Sequence, residues 1–186
     1  MSTEIDNANA GSSDDPLMDF SNCHVGIINN FNSLLELSRT NIDNPVQREI
    51  RDTAKKLYNF FRDVVLEHHA EEEQELFAEV ADSARSPGAD SSRALEMIEQ
   101  LTQEHRSLES QWQALEKDIK QLSKGKYCVL DQAAAAKLAH EYLQHANFEE
   151  QDFLPLSAKL LGDKGLSSLG LSLHMRHSTV SIPNYI

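Results

Sequence analysis

The stretch His68-His69-Ala70-Glu71-Glu72-Glu73-Gln74-Glu75-Leu76-Phe77 returns further along the chain as His145-Ala146-Asn147-Phe148-Glu149-Glu150-Gln151-Asp152-Phe153-Leu154. On a helix, residues four apart share a face, so His68-x-x-x-Glu72 and His145-x-x-x-Glu149 each set an imidazole beside a carboxylate. The residues upstream also match. His24 precedes Phe31 and Leu34, and His105 precedes Trp112 and Leu115 at the same spacing. The chain therefore reads as two copies of one helical hairpin, each with one lone histidine and one His/Glu pair.

The helices that carry these residues are bounded by start and stop signals. Asp15-Pro16 opens helix A, which runs to about Arg39, and Asn44-Pro45 opens helix B, which runs to about Ala84. Asp90 or Ser91 caps helix C, which ends near Lys124-Gly125. Asp131 caps helix D, which ends at Leu161-Gly162. A short fifth helix is expected from Gly165 to Arg176, followed by an irregular tail. At 100° per residue each helix has one apolar stripe. Helix A offers Leu17, Phe20, Ile28, Phe31 and Leu35, helix B Leu57, Phe61, Val64 and Val65. Helix C offers Ile98, Leu101, Leu108, Trp112 and Ile119, helix D Leu138, Tyr142, Phe153, Leu156 and Leu160. Four such helices joined by short links predict an all-α, antiparallel up-down four-helix bundle over residues 16–162. Residues 1–15 read as a disordered lead-in and 163–186 as a short helix and tail.

Composition agrees. The 186 residues are 40% hydrophobic with only 7 Gly and 5 Pro, which favours long helices over turns. A formal net charge of -13 repels phosphates and anionic lipid, so neither nucleic acid nor a membrane is the expected partner. Two cysteines, Cys23 and Cys128, are too few for a disulfide framework, and no apolar run is long enough to span a bilayer. A reduced, cytoplasmic setting fits. Cys23 is expected to face a neighbouring helix.

Four of the eight histidines, His24, His68, His105 and His145, fall inside the stripes, one per helix. Burying an imidazole without a partner costs roughly 1–3 kcal/mol. Four of them call for a shared one. With Glu72 and Glu149 they make a set of four imidazoles and two carboxylates, enough for two metal ions with the carboxylates free to bridge. Helix B holds a competing register, His69-x-x-x-Glu73. The stripe centres within about 20° of His68, whereas His69 and Glu73 lie about 100° and about 140° away. The periodicity and the duplicated glutamates select His68 and Glu72, with His69 left at the edge of the site. His140, His174 and His177 read as surface residues, and the run Glu71 to Glu75 as a solvated face apart from Glu72.

An imidazole-rich site with bridging carboxylates suits iron before manganese or zinc. Two ferrous ions and two carboxylates leave positive charge that an oxo or hydroxo bridge would offset. In this, His24, His68-x-x-x-Glu72, His105 and His145-x-x-x-Glu149-Glu150-x-x-Phe153-Leu154-Pro155 resemble the hemerythrin-like, or HHE cation-binding, family over roughly residues 16–162. The resemblance implies a non-haem di-iron centre that meets O₂ or NO. Oxygen carriers of the family have His-x-x-x-His on the third helix and Asp as the last bridging ligand. Here Glu109 follows His105 at i+4, and Glu149 is the last carboxylate. Five histidines would fill one iron and leave the other open. Four leave both irons open unless Glu109 closes one. Iron–sulfur repair members share the HxxxE pairs but carry an added cysteine-bearing N-terminal domain.

Three function classes follow. The first is a di-iron protein that binds or senses O₂, NO or iron. The second is a di-iron oxidase or peroxidase, or an iron-delivery factor in cluster repair. The third is a structural bundle whose histidines hold zinc or nothing. The large stripe residues Phe31, Phe61, Trp112 and Phe153 favour a diatomic ligand over an organic substrate, which leans the reading away from an enzyme.

Overall fold

The computed structural model describes residues 15–179. Helix α1, Pro16–Arg39, starts as its signal requires: Asp15 accepts from the Leu17 amide, and Pro16 occupies the first turn, where no donor is needed. Helix α2 (48–83) is one continuous rod of α-helix interrupted by two π-helical turns, Phe61–Val65 and Glu72–Leu76. Helix α3, Ala89–Ser123, follows a short link. Helix α4 (132–161) begins after the Asp131 cap, which accepts from the Ala134 amide, and carries a third π turn, Glu149–Phe153. Gly162 then breaks the rod with φ 57°, a left-handed value that glycine adopts without steric cost, and α5 (163–179) follows.

Around the bundle, α1 lies between α2 and α4, and α3 closes the ring against both. Helix α5 runs back along α2, with Leu169 and Leu173 buried. Arg176 donates to Glu67 at 2.6 Å and to Gln74 at 2.7 Å, Ser172 bonds Glu75, and exposed His177 pairs with Glu71 at 2.6 Å. The acidic run of α2 is thus held by α5 on one side rather than left to water. No described helix is long and apolar enough to cross a membrane. Of the lead-in expected at 1–15, residues 1–14 lie outside the described residues, as do residues 180–186 of the tail.

The structure moves several boundaries. Asn44-Pro45 does not open α2. Val46 is buried, Gln47 donates to Asp43 at 2.6 Å, and the helix begins at Arg48. Neither Asp90 nor Ser91 caps α3, which starts at Ala89 after Gly88 without a side-chain cap. On α1 the fully buried residues are Ile27 and Leu34, and Ile28 and Leu35 sit half-buried at the margin.

The core is two apolar clusters, not one. The first joins Ile27, Phe31, Phe61, Trp112, Leu138 and Tyr142. The second joins Phe20, Leu76, Phe77, Leu101, Phe153 and Leu169. Phe61 stacks on Trp112 at 3.7 Å in the first, and Phe77 meets Phe153 edge-on at 5.2 Å in the second. Along each bundle helix the buried histidines and glutamates fall between these two sets, as a polar layer with dry packing on both sides. Water excluded from that layer cannot satisfy its polar groups, so their partners must come from the protein or from a bound ion.

Candidate metal centre

The polar layer contains all six residues that the sequence singles out. His24, His68, Glu72, His105, His145 and Glu149 are each at most 2% exposed. Their donor atoms form overlapping groups: His24, His68, Glu72 and Glu149 in one, and Glu72, His105, His145 and Glu149 in another, with every atom within 4.8 Å of the rest of its group. Both carboxylates belong to both groups. Glu72 shows why: Oε1 lies 3.3 Å from His68 Nε2, and Oε2 lies 3.3 Å from His105 Nε2. Its two oxygens face separate sets of imidazoles. Glu149 Oε2 lies 2.9 Å from His24 Nε2 and 3.5 Å from His145 Nε2.

One residue the stripe argument placed at the edge is inside. His69 is 1% exposed, stacks on His105 at 4.0 Å, and joins His105 and His145 in a third group of possible ligands. The cause is the π turn at Phe61–Val65. A π turn adds one residue relative to an α-helical turn, so everything after it is rotated by about 100° against a uniform extrapolation. His69 takes the inward direction that the unbroken stripe assigns to His68. The bundle axis then falls between the two, with His68 facing His24 at 4.8 Å and His69 facing α3.

The remaining ring nitrogens are held from behind by carboxylates. His24 donates from Nδ1 to Glu150 at 2.8 Å, and His105 from Nδ1 to Glu73 at 2.8 Å. These two bonds repeat the hairpin symmetry: in each Glu-Glu pair the first residue enters the layer, and the second grips the lone histidine of the other hairpin. His145 donates to Glu104 at 2.8 Å and His69 to Glu109 at 3.2 Å. Arg106 ties Glu73 to Glu109. Glu109 therefore supports His69 rather than joining the layer. Such bonds fix each ring with Nε2 inward and raise its basicity as a ligand.

The symmetry fails at two places. Ala146 stands where His69 stands in the first hairpin, and Cys23 stands where Glu104 stands in the second. In keeping with the second difference, His68 Nδ1 has no hydrogen-bond partner among the described residues. Cys23 is exposed rather than packed against a neighbouring helix, with its thiol pKa raised by the burial it has and then by Glu71 and Asp19.

Whether these residues suit a cation is tested by their unmet bonds. Among the described residues, Nε2 of all five buried histidines, Glu72 Oε2 and both Glu149 oxygens lack hydrogen-bond partners. An unsatisfied buried polar atom costs about 1–3 kcal/mol, and more for a charged one. Imidazoles and carboxylates converging from four helices, with their inward atoms turned to one another and little else, fit a cation well.

Electrostatics points the same way. Burial holds the Glu72 carboxyl well above its ordinary value of 4.5, and Glu149 adds to the rise. Burial, then mutual repulsion, holds His68 and His105 far below 6.5. Burial also lowers His69, against a partial offset from Glu109. For His24, burial lowers the value, but Glu149 and then Glu150 raise it overall. These shifts set the pH response of metal-free protein. Just below pH 6.5 the unfolded chain binds protons at His68, His69 and His105 that the folded chain refuses, so stability falls as pH falls. Glu72 has the opposite sign: its contribution is complete below 4.5 and is lost as pH rises. His24, also raised, acts in the same sense as Glu72 but fades below its ordinary value of 6.5, so the three lowered histidines outweigh these two in that range. Metal-free protein should lose on the order of 1–2 kcal/mol per pH unit between about pH 6.5 and 5. A melting temperature that is flat or rises on acidification across that window would contradict the burial of these imidazoles.

No curated protein and no solved structure matches the chain. One family model does, described as the hemerythrin HHE cation binding domain, over residues 16–157. The matched span takes in α1 to α3, most of α4 and every residue of the polar layer. The chain belongs to the hemerythrin HHE cation-binding family.

Proposed function

We propose that this protein is a non-haem di-iron protein that binds or senses O₂, NO or iron in the cytoplasm. His24 and His68 would hold one ion, and His69, His105 and His145 the other, with Glu72 and Glu149 shared. The observation that carries this reading is Glu72, whose two oxygens each lie 3.3 Å from the Nε2 atom of a different histidine set. Iron so held supplies one-electron redox chemistry and, where protein donors are few, a position for a diatomic ligand. The two seats are unequal. Three imidazoles and two carboxylates crowd one, while the other has two imidazoles and the same carboxylates, which leaves it the more open. The protein's own contribution is to exclude water with aromatic layers on both sides and to fix four of the five imidazoles through carboxylates. Two unpaired cysteines support a reducing compartment.

Metal analysis of aerobically purified protein, with optical spectra before and after reduction and re-exposure to O₂, tests this reading. The expected result is two irons per chain and a near-ultraviolet absorption that disappears on reduction and returns with O₂ or changes with NO. Zinc, or a single metal, with no optical response would reject it.

A second reading has an observation of its own. A cleft of about 430 Å³ between α3 and α4 is lined by His145 and its partner Glu104, together with Gln100, Ser107 and Gln144. The large stripe residues fill the interior but leave this outer approach, so an oxidase or peroxidase acting with an organic reductant has a place to bind one. Steady consumption of peroxide with a dye reductant, lost on filling the cleft by Ser107→Trp, would select it.

A further inference from the structure

A second cavity lies on the opposite side of α4, away from the α3 cleft. It measures about 260 Å³ and opens between α1 and α4. Its floor is the Phe31–Tyr142 stack, with ring centroids 4.5 Å apart. Its walls include Ile28 and Leu35, the two apolar residues of α1 that the bundle core leaves half-buried, and Leu143, which is 50% exposed. The facing positions on α4 are small, Ala136 and Ala139, and this mismatch in size is what leaves the groove unfilled. Apolar surface left open in this way favours an apolar occupant.

The rim is polar and cationic. Arg39, His140 and Asn32 line it. Six of the eight arginines pair with an acid, among them Arg62 with Asp63, Arg93 with Asp152 and Arg106 with Glu73. Like Arg51, Arg39 makes no such pair among the described residues. Among the described residues no carboxylate lies within ion-pair distance of it, and no carboxylate lines the groove. An apolar trough ending at a guanidinium that has no acid beside it among the described residues is complementary to a molecule with an apolar chain and one negative end, for which guanidinium is the matching donor. At about 30 Å³ per water the volume equals roughly nine waters, which suits a chain of comparable heavy-atom number.

We propose that the α1–α4 groove, floored by Phe31 and Tyr142 and headed by Arg39, binds a small amphipathic monocarboxylate. The chain lies along Ile28, Leu35 and Leu143, and the carboxylate accepts hydrogen bonds from Arg39, with His140 beside it. This site is separate from the polar layer, although Tyr142 touches both: its ring lies 5.7 Å from that of His145.

The test is calorimetric titration of the metal-loaded full chain with octanoate and, for comparison, octanol. Octanoate should bind at one site per chain, and octanol at least about fivefold more weakly. Arg39→Gln should weaken octanoate about five- to tenfold, to the level of octanol, in line with the loss of one charge-assisted bond at an exposed position. Ala136→Phe fills the groove from a half-exposed position and should abolish binding while the melting temperature is kept. Equal affinity for octanoate and octanol, no loss in Arg39→Gln, or full binding by a folded Ala136→Phe protein would each overturn the proposal. So would light scattering that shows a dimer dissociated by Ala136→Phe, since the groove would then belong to a second copy of the chain.

Discussion

Replacing Glu72 by alanine should strip the protein of both metal ions, with affinity at least about 100-fold lower in each seat. The reason is geometric. Glu72 Oε1 faces His68 and Oε2 faces His105, so one truncation removes a donor from each set. The neighbouring Glu73 makes the control. It bonds His105 Nδ1 and Arg106 from outside the layer, so Glu73→Ala should weaken binding by about 10- to 100-fold yet still allow two ions at saturating metal. Stability should respond in opposite directions in the two metallation states. A buried carboxyl held well above its ordinary pKa is a cost to the metal-free fold, so metal-free Glu72→Ala should melt no lower than the parent. The same variant should show none of the stabilisation that metal gives the parent by mass action. Loss of a single ion, measured by elemental analysis after dialysis, would show that Glu72 serves one seat only.

The second large effect belongs to adjacent histidines. His68→Ala and His69→Ala should each reduce metal content from two ions to about one, because His68 stands with His24 and His69 with His105 and His145. The double variant should retain almost none. The survivors should differ: the ion left in His69→Ala keeps His24 and His68, the more open set, and so should still respond to NO. The ion left in His68→Ala sits among three imidazoles and should respond less. A His69→Ala protein that keeps two ions at unchanged affinity would make His69 a packing residue whose stacking on His105 is incidental.

His69 also shows where the sequence stops being legible. The four bundle helices and the six central residues follow from period and repetition, since each stripe is long and the motif occurs twice. A uniform 100° per residue does not survive three π turns, two of which begin at the central glutamates Glu72 and Glu149. The rotation that brings His69 inward has no local sequence signal, though its position directly after His68 was visible. The same limit applies to α1, where Ile27-Ile28 and Leu34-Leu35 are adjacent apolar pairs. One helix alone cannot choose between them, and packing against α2 and α4 selects Ile27 and Leu34. The carboxylates behind the rings were harder still, because each supports a histidine on a different helix: Glu150 on His24, Glu73 on His105, Glu104 on His145 and Glu109 on His69. For Glu73 and Glu150 the duplicated Glu-Glu pair held the clue. For Glu104 the position was masked by Cys23 in the other hairpin.

Anomalous diffraction from crystals of iron-loaded protein, recorded at the iron edge, tests the central claim most directly. The expected result is two peaks per chain in the polar layer, one beside Nε2 of His24 and His68, the other beside Nε2 of His69, His105 and His145, with a Glu72 oxygen next to each. A single peak, or two peaks with His69 turned away from both, would contradict it.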